Sequence, residues 1–137
     1  MKPSMADTDT LSFFLRRRKE VVENFQKYFK EIGKINISII NYYEVLGGLK
    51  HKDAHKKLEI FQTIVEKNIL LPLTDKSCEI ATDIYASLRK QGNPLDDMDI
   101  LIASIAIENE LVLVTHNRKH FERLKNLEIE DWSIFAA

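Results

Sequence analysis

The stretch Gly92–Ala106, GNPLDDMDILIASIA, joins a turn rich in carboxylates directly to an apolar segment. The apolar side chains from Ile100 onward cover most of the circumference of a helix, which predicts a deeply buried element. Asp96 and Asp99 have the spacing of a capping box, and carboxylates at a helix N-terminus are favoured by roughly 0.3–1 kcal/mol each. Three carboxylates in four residues also repel one another. The turn therefore indicates either a helix cap or a site that holds a cation.

The composition is that of one soluble globular domain spanning residues 1–137, with 45% apolar and 30% charged residues. A net charge of −1 gives no overall preference for nucleic acid, so any such contact must come from local patches such as the basic run 16–19. Cys78 is the only cysteine, which excludes an internal disulfide and a zinc–thiolate site and predicts a small packed side chain in a cytoplasmic protein. No run approaches the ~18 apolar residues of a membrane span.

Strand and helix patterns alternate along the whole chain. The strands are predicted at 2–6, 34–38, 69–73, 111–115 and 127–129, with helices between them. The first strand is weak because it contains Pro3, whereas 111–115 is the strongest strand signal and is expected to be central. The run 69–73 is expected to be buried. This alternation predicts an α/β fold, a three-layer α/β/α sandwich with a mainly parallel central sheet.

Ligands of such sheets bind outside the carboxyl ends of the strands. Asp7 follows the first strand and Asn117 follows the strongest one, so both are predicted at that edge. Glu44 lies on a partly apolar helix face, where a carboxylate either reaches toward the edge or belongs to a site. The start of a helix that precedes a strand is expected at the opposite edge, so Asp99 needs another route to the site, such as a long loop.

Two histidine pairs have the four-residue spacing of a metal chelate. His51 and His55 fall in one predicted helix, and His116 and His120 fall in the polar turn after the strongest strand. Neither pair has an acidic or cysteine partner at a recognisable spacing, and basic residues surround both. We therefore expect the first pair to face solvent and the second to face solvent or RNA phosphates.

Four motifs, in this order, resemble the PIN-domain ribonucleases. They are Asp-Thr-Asp-Thr-Leu-Ser at 7–12, Ser-Ile-Ile-Asn-Tyr-Tyr-Glu at 38–44, the motif at 92–104, and Leu-Val-Thr-His-Asn-Arg-Lys-His-Phe at 113–121. More narrowly, the set is similar to the VapC toxins of bacterial and archaeal toxin–antitoxin pairs. The resemblance covers essentially the whole chain and implies a PIN-like fold.

The resemblance implies a catalytic group of Asp7, Glu44, Asp99 and Asn117, with Asp7 and Asp99 as the metal ligands. Mg²⁺ or Mn²⁺ is the implied cofactor, because these hard ions prefer carboxylate oxygen and water and can activate a water as a nucleophile. The implied reaction is hydrolysis of RNA that leaves a 5′-phosphate and a 3′-hydroxyl.

Two positions depart from the family pattern. Asn117 stands where an aspartate is frequent, and His120 stands before Phe121 where another aspartate is frequent. Thr8 and Asp9 match the residues that brace the site in the family. The departures leave Asn117 as a neutral ligand or as a group that orients water.

The implied partners are an RNA substrate, a small VapB-like antitoxin that places a basic side chain in the acidic pocket, and a second copy of the chain in a homodimer, with no membrane. The basic residues at 16–19 and 118–119 could hold the RNA backbone.

Two other functions remain open. The neutral Asn117 and the weak first strand would also suit a catalytically weak PIN-like module that binds RNA or protein. The Asp7-x-Asp9 pattern also occurs in haloacid-dehalogenase-like phosphatases, but that family has Thr or Val where this chain has Leu11. It also has a Gly-Asp pair before its later acids, where this chain has Leu95-Asp96.

Overall fold

The computed structural model describes residues 1–134, which form a parallel sheet between two layers of helices. The strands are β1 (Ser4–Ala6), β2 (Asn36–Ser38), β3 (Ile69–Leu71), β4 (Val112–Val114) and β5 (Ile129–Glu130), in the order β3-β2-β1-β4-β5. The helices are α1 (Thr8–Leu15), α2 (Lys19–Glu31), α3 (Ile39–His51), α4 (His55–Lys67), α5 (Asp75–Lys90), α6 (Asp97–Glu108) and α7 (Arg118–Phe121). The predicted α/β class and parallel sheet are confirmed. Within the same residues, no helix is both long enough and apolar enough to cross a lipid bilayer.

Two hydrophobic cores lie on opposite faces of the sheet. Successive strand residues point to opposite faces, so Met5 and Leu113 pack into the core covered by α5 and α6. Ala6 and Val114 pack into the other core, which α1, α2 and α4 cover. Both faces of the inner strands are buried, which explains why 111–115 has a continuous rather than an alternating apolar pattern.

The weakly predicted first strand is the middle strand of the sheet. Ser4 is fully buried there because its polar atoms have partners: its N–H donates to Tyr28 Oη at 3.1 Å and its carbonyl accepts from Asn36 Nδ2 at 2.9 Å. The expectation that 111–115 is central was wrong by one place, since β4 lies between β1 and β5.

The Tyr28→Phe substitution is expected to lower the free energy of unfolding by about 1–3 kcal/mol. The fully buried Tyr28 hydroxyl accepts from Ser4 N–H and donates to the Lys34 carbonyl at 3.1 Å, so its removal leaves two backbone groups without partners. Urea denaturation measures the difference. Tyr43→Phe is the control, because Tyr43 is 67% exposed; equal effects of the two substitutions would contradict this role of Tyr28.

Three predictions about surface residues were wrong. Ile69 and Leu70 are 40% and 39% exposed, because β3 is an edge strand with β2 as its one neighbour. The prediction that His51 and His55 fall in one helix was wrong, because His51 ends α3 whereas His55 begins α4; both are exposed, as expected. Cys78 is exposed, in a groove between α5 and α6 that Tyr85 and Leu101 also line.

Candidate active site

The pairing of β1 with β4 sets the centre of the site. Ala6 pairs with Val114, so the residues that follow, Asp7 and Thr115, lie side by side at the carboxyl edge of the sheet. Thr115 Oγ1 donates to Asp7 Oδ2 at 2.7 Å. The Thr8 N–H donates to Asp7 Oδ1 at 2.9 Å, which caps α1. The buried Asp7 carboxylate, 6% exposed, is thus held on both oxygens by neutral donors.

Helix α3 connects Glu44 to the Asp7 carboxylate through the buried side-chain amide of Asn41 and the hydroxyl of Thr8. Ser38 caps α3, and its hydroxyl donates to Asn41 Oδ1, so the amide Nδ2 is turned toward β1. Asn41 Nδ2 donates to Asp7 Oδ1 at 2.9 Å and to Thr8 Oγ1 at 3.0 Å. Thr8 Oγ1 in turn donates to Glu44 Oε1 at 2.7 Å. Because Asn41 and Glu44 are three residues apart, they lie on the same side of α3.

Helix α6 places one of its three N-terminal carboxylates in the site. Asp96 is the N-cap residue but its side chain makes no capping hydrogen bond, so the predicted capping box is absent. Asp96 and Asp97 are exposed, whereas the Asp99 side chain is 19% exposed and its Oδ2 lies 2.8 Å from His120 Nδ1. The turn that suggested either a cap or a site therefore directs a single carboxylate inward.

The expectation that the helix carrying Asp99 starts at the edge of the sheet opposite the site was wrong. Helix α6 is joined to β4 by a short link in which Leu111 N–H donates to the Ala106 carbonyl at 2.9 Å. A helix that leads so directly into a strand runs back along it, so the end of α6 lies near the start of β4 and its beginning lies at the carboxyl edge. Asp99 needs no long loop to reach the site.

The loop after β4 completes the group. Asn117 N–H donates to Thr115 Oγ1 at 3.0 Å, and Asn117 Nδ2 lies 2.9 Å from His120 Nδ1. A continuous series of polar contacts therefore links all four residues of the predicted catalytic group; at His120 Nδ1 it passes through one atom that can donate to Asp99 or accept from Asn117, according to its tautomer. Its members, in order, are Glu44, Thr8, Asn41, Asp7, Thr115, Asn117, His120 and Asp99.

Sequence reasoning missed three members of this series. Asn41 precedes Glu44 by one turn and Thr115 is the first residue after a strand, so position could have indicated both. His120 was expected to face solvent or RNA phosphates. Its contact with Asp99 had no local signal, because the two residues are 21 positions apart.

The acidic group, formed by Asp7, Asp9, Glu44 and Asp99, carries negative charge that no lysine or arginine of the described residues neutralises. Burial, and after it the nearby charge of Asp9, raise the pKa of Asp7 to about 6, although the hydrogen bonds from Thr115, Thr8 and Asn41 oppose the rise. Burial also raises the pKa of Asp9, against the opposing hydrogen bond from His116 N–H at 3.0 Å. Within residues 1–134, no lysine or arginine forms an ion pair with Asp7, Asp9, Glu44 or Asp99. A bound cation would favour the ionised carboxylates.

The donor set fits a hard divalent cation. No three Asp, Glu, His or Cys side chains of the described chain are spaced to hold an ion by themselves. Mg²⁺ does not need such a cage, because it keeps several waters and is usually bound through one or two carboxylates. Asp7, buried with a raised pKa and without a cationic partner in that part of the chain, is the group that a cation would stabilise most.

A cationic rim, formed by the exposed basic residues at 16–19 and 118–119, lies beside the acidic group. The guanidinium carbons of Arg16 and Arg18 lie 5.3 and 4.6 Å from the centroid of the Phe13 ring, and the ring of His116 meets Phe13 edge-on at 5.9 Å. His116 Nδ1 lies 2.9 Å from Asp131 Oδ2, which fixes the imidazole. Because the backbone N–H of His116 also donates to Asp9, the guanidinium groups of Arg16 and Arg18 are held next to the site.

A parallel sheet with carboxylates gathered at one edge is the architecture of a PIN domain, and the PIN domain family model matches residues 5–127. The chain belongs to this family. It is 31% identical to Ribonuclease VapC1 of Methanocaldococcus jannaschii over 126 residues, which are 88% of this chain and 80% of that protein. It is 28% identical to the tRNA(fMet)-specific endonuclease VapC of Shigella flexneri over 130 residues, 94% of this chain and 97% of that protein.

Solved structures agree with these relatives. DNA-bound VapBC from Salmonella typhimurium superposes with a TM-score of 0.84 at 28% identity, over 96% of this chain and 99% of that chain. VapBC2 from Rickettsia felis, bound to a promoter DNA fragment, gives 0.83 at 26% identity, over 94% and 98%. The predicted PIN family, the resemblance to VapC-type ribonucleases and the enzyme class, a nuclease, are confirmed.

Proposed function

We propose that this chain is a Mg²⁺- or Mn²⁺-dependent endoribonuclease and the toxin of a VapBC-type toxin–antitoxin pair. The observation that carries the proposal is the continuous series of polar contacts from Glu44 through Asp7 to Asp99, in which the buried Asp7 carboxylate has no lysine or arginine partner within residues 1–134. Relatives named ribonuclease or endonuclease VapC support the same conclusion.

Asp7 and Asp99 are the residues that would hold the metal ion, which supplies Lewis acidity and lowers the pKa of water when it is bound. Thr115 and Asn41 fix the orientation of the Asp7 carboxylate. Glu44, which accepts a hydrogen bond from Thr8, would accept a proton from the attacking water. The Asn117 amide orients water or a phosphate oxygen as a neutral group. Hydrolysis would leave a 5′-phosphate and a 3′-hydroxyl.

The cationic rim supplies the RNA contact in this proposal. The basic residues at 16–19 and at 118–119 are all exposed. Contacts from such groups to phosphates fix the path of the backbone without reading its sequence. The net charge of −1 therefore does not prevent RNA binding, because the positive charge is local.

The proposed partners follow from the same relatives. Two neighbouring structures are VapBC complexes, which supports a VapB-like antitoxin as the partner of this chain. A basic antitoxin side chain in the acidic group would supply the positive charge that Asp7 and Asp9 lack. The proposal includes a homodimer in the cytoplasm, as in the family resemblance.

Incubation of the purified chain with RNA tests this function. With Mg²⁺ or Mn²⁺, cleavage that yields 5′-phosphate ends is expected, and EDTA is expected to abolish it. Initiator tRNA is the first substrate to use, because the Shigella flexneri relative is named for it. Cleavage that persists unchanged in EDTA would contradict metal dependence.

The same experiment decides between the enzyme and a binding module. RNA binding without cleavage under any of these conditions would favour the catalytically weak PIN-like module. The haloacid-dehalogenase-like alternative has no support, since the chain belongs to the PIN family.

A further inference from the structure

We propose that His120 is a metal ligand of this chain, and that its nitrogen shifts the preference of the site from Mg²⁺ toward Mn²⁺ and related transition-metal ions. The inference rests on the proposed metal-dependent function and concerns which ion that function uses. It assigns a direct role to a residue that the family resemblance marks only as a departure from an aspartate.

The distance between the two donor atoms is that of neighbouring ligands on one ion. His120 Nδ1 lies 2.8 Å from Asp99 Oδ2. Ligands on adjacent corners of an octahedron, with bonds of about 2.1 Å, are separated by about 3 Å. An ion that replaces the shared proton could therefore bind both atoms with almost no movement of the backbone. Asn117, 2.9 Å from the same ring nitrogen, adds an amide whose oxygen is brought forward by rotation of the side chain.

The packing of α7 holds the imidazole in place and leaves room for water. Phe121, the next residue, is fully buried in the core beneath α5 and α6, and His120 N–H donates to the Asn117 carbonyl at 3.1 Å. The side chains of His120 and Asp99 nevertheless keep 45% and 19% of their surface exposed. No three Asp, Glu, His or Cys side chains of the described residues are spaced to bind one ion directly, so an ion between these two would be completed by waters, which would also connect it to Asp7.

The type of donor atom determines which metal ion the site prefers. Carboxylates and water suit Mg²⁺ and Mn²⁺ alike, whereas imidazole favours transition metals. A histidine in place of an aspartate also removes one negative charge from the ligand set, which weakens electrostatic binding of a hard ion most. Mn²⁺ accepts a nitrogen donor more readily than Mg²⁺ does, so this combination is expected to raise the affinity for Mn²⁺ relative to that for Mg²⁺.

Pulsed electron paramagnetic resonance of the Mn²⁺-loaded full chain tests the inference without reference to catalysis. Modulation of the spin echo by a directly bound ¹⁴N is expected for the parent protein and should be lost in His120→Asp. The control His116→Gln changes a histidine in the same turn that contacts Asp131, and it should keep the signal. Calorimetric titration should show the Mn²⁺/Mg²⁺ affinity ratio falling about tenfold or more in His120→Asp, the range typical of changes at a metal site.

The outcomes separate the inference from the function on which it rests. Mn²⁺ binding without a nitrogen signal, or an unchanged affinity ratio in His120→Asp, overturns the role of His120 and leaves a metal-dependent nuclease. A parent protein that binds neither Mn²⁺ nor Mg²⁺ overturns both. Circular dichroism of the variants establishes that the fold is retained.

Discussion

The Asp99→Asn variant is expected to lose more than about 100-fold in RNA cleavage, a larger loss than a typical change behind a metal ligand, and to lose growth arrest while keeping its fold. Asp99 supplies the carboxylate oxygen that lies 2.8 Å from His120 Nδ1, and asparagine retains its size but not its charge. The side chain makes no capping hydrogen bond that α6 would lose. Single-turnover cleavage in Mn²⁺ measures the effect, and thermal denaturation checks the fold.

Asp97→Asn is the matched control, because it removes the same charge from the same helical turn at an exposed position. It alters the interaction with the helix dipole as Asp99→Asn does, but it leaves the site intact. Its cleavage rate should stay close to that of the parent protein. If Asp99→Asn cuts RNA as fast as the parent in Mn²⁺, or if both variants lose activity equally, the assignment of Asp99 fails.

The Asp7→Asn variant is expected to be inactive and yet more stable than the parent protein at pH 7 without divalent ions, by up to about 3 kcal/mol. That figure corresponds to a carboxyl pKa raised from 3.8 to about 6, mainly by burial and then by the charge of Asp9. Asparagine occupies the same space without the charge. Its amide can donate to Thr115 Oγ1, which now donates to Asp7 Oδ2 at 2.7 Å.

The pH dependence of the free energy of unfolding tests the direction of this effect. The folded parent binds the Asp7 proton more tightly than the unfolded chain does, so its free energy of unfolding should fall as pH rises from about 4 to about 6. Asp7→Asn should lack that fall, and Mn²⁺ should restore stability to the parent but not to the variant. Denaturant titrations in EDTA at pH 4 and pH 7 measure both effects.

Asp131→Asn is the control with the opposite sign. Burial raises the pKa of Asp131, but hydrogen bonds from Ser133 and His116 outweigh it, so the pKa is lowered overall. That carboxylate contributes stability above its unfolded pKa, and the contribution is lost as pH falls. The asparagine variant should therefore be less stable than the parent at pH 7. If Asp7→Asn is also less stable than the parent at pH 7, other groups of the protein already offset the cost of burying the Asp7 charge, and the prediction is wrong.

The fold was largely predictable because apolar runs and helix periodicity are local. The position of β1 was not, since a short strand with a serine and a preceding proline is a poor local signal. Its burial depends on Tyr28 and Asn36, which satisfy Ser4 from 24 and 32 residues away. Position in the sheet is decided by such distant partners, which no window of sequence contains.

The candidate site was predictable to the extent that strand ends meet at one edge. That rule brings Asp7 and Asn117 together, and the structure adds Asp99 because α6 runs back along β4. The four-residue spacing of His116 and His120 did not predict their contacts, because that spacing matters within one continuous helix, whereas His116 precedes α7 and His120 lies inside it. Each histidine instead contacts a different aspartate, Asp131 or Asp99.

The pairing of Ala6 with Val114 also determines where the chain can change in length. A shift of one residue in either strand would turn every side chain to the other face of the sheet and separate Asp7 from Thr115. The connection 91–96 between α5 and α6 is not part of that pairing, and most of it is exposed. Insertions and deletions among homologues should therefore accumulate in such connections. The three-residue strands β1 and β4 should keep a fixed length, because their length determines how the residues of the acidic group are placed relative to one another.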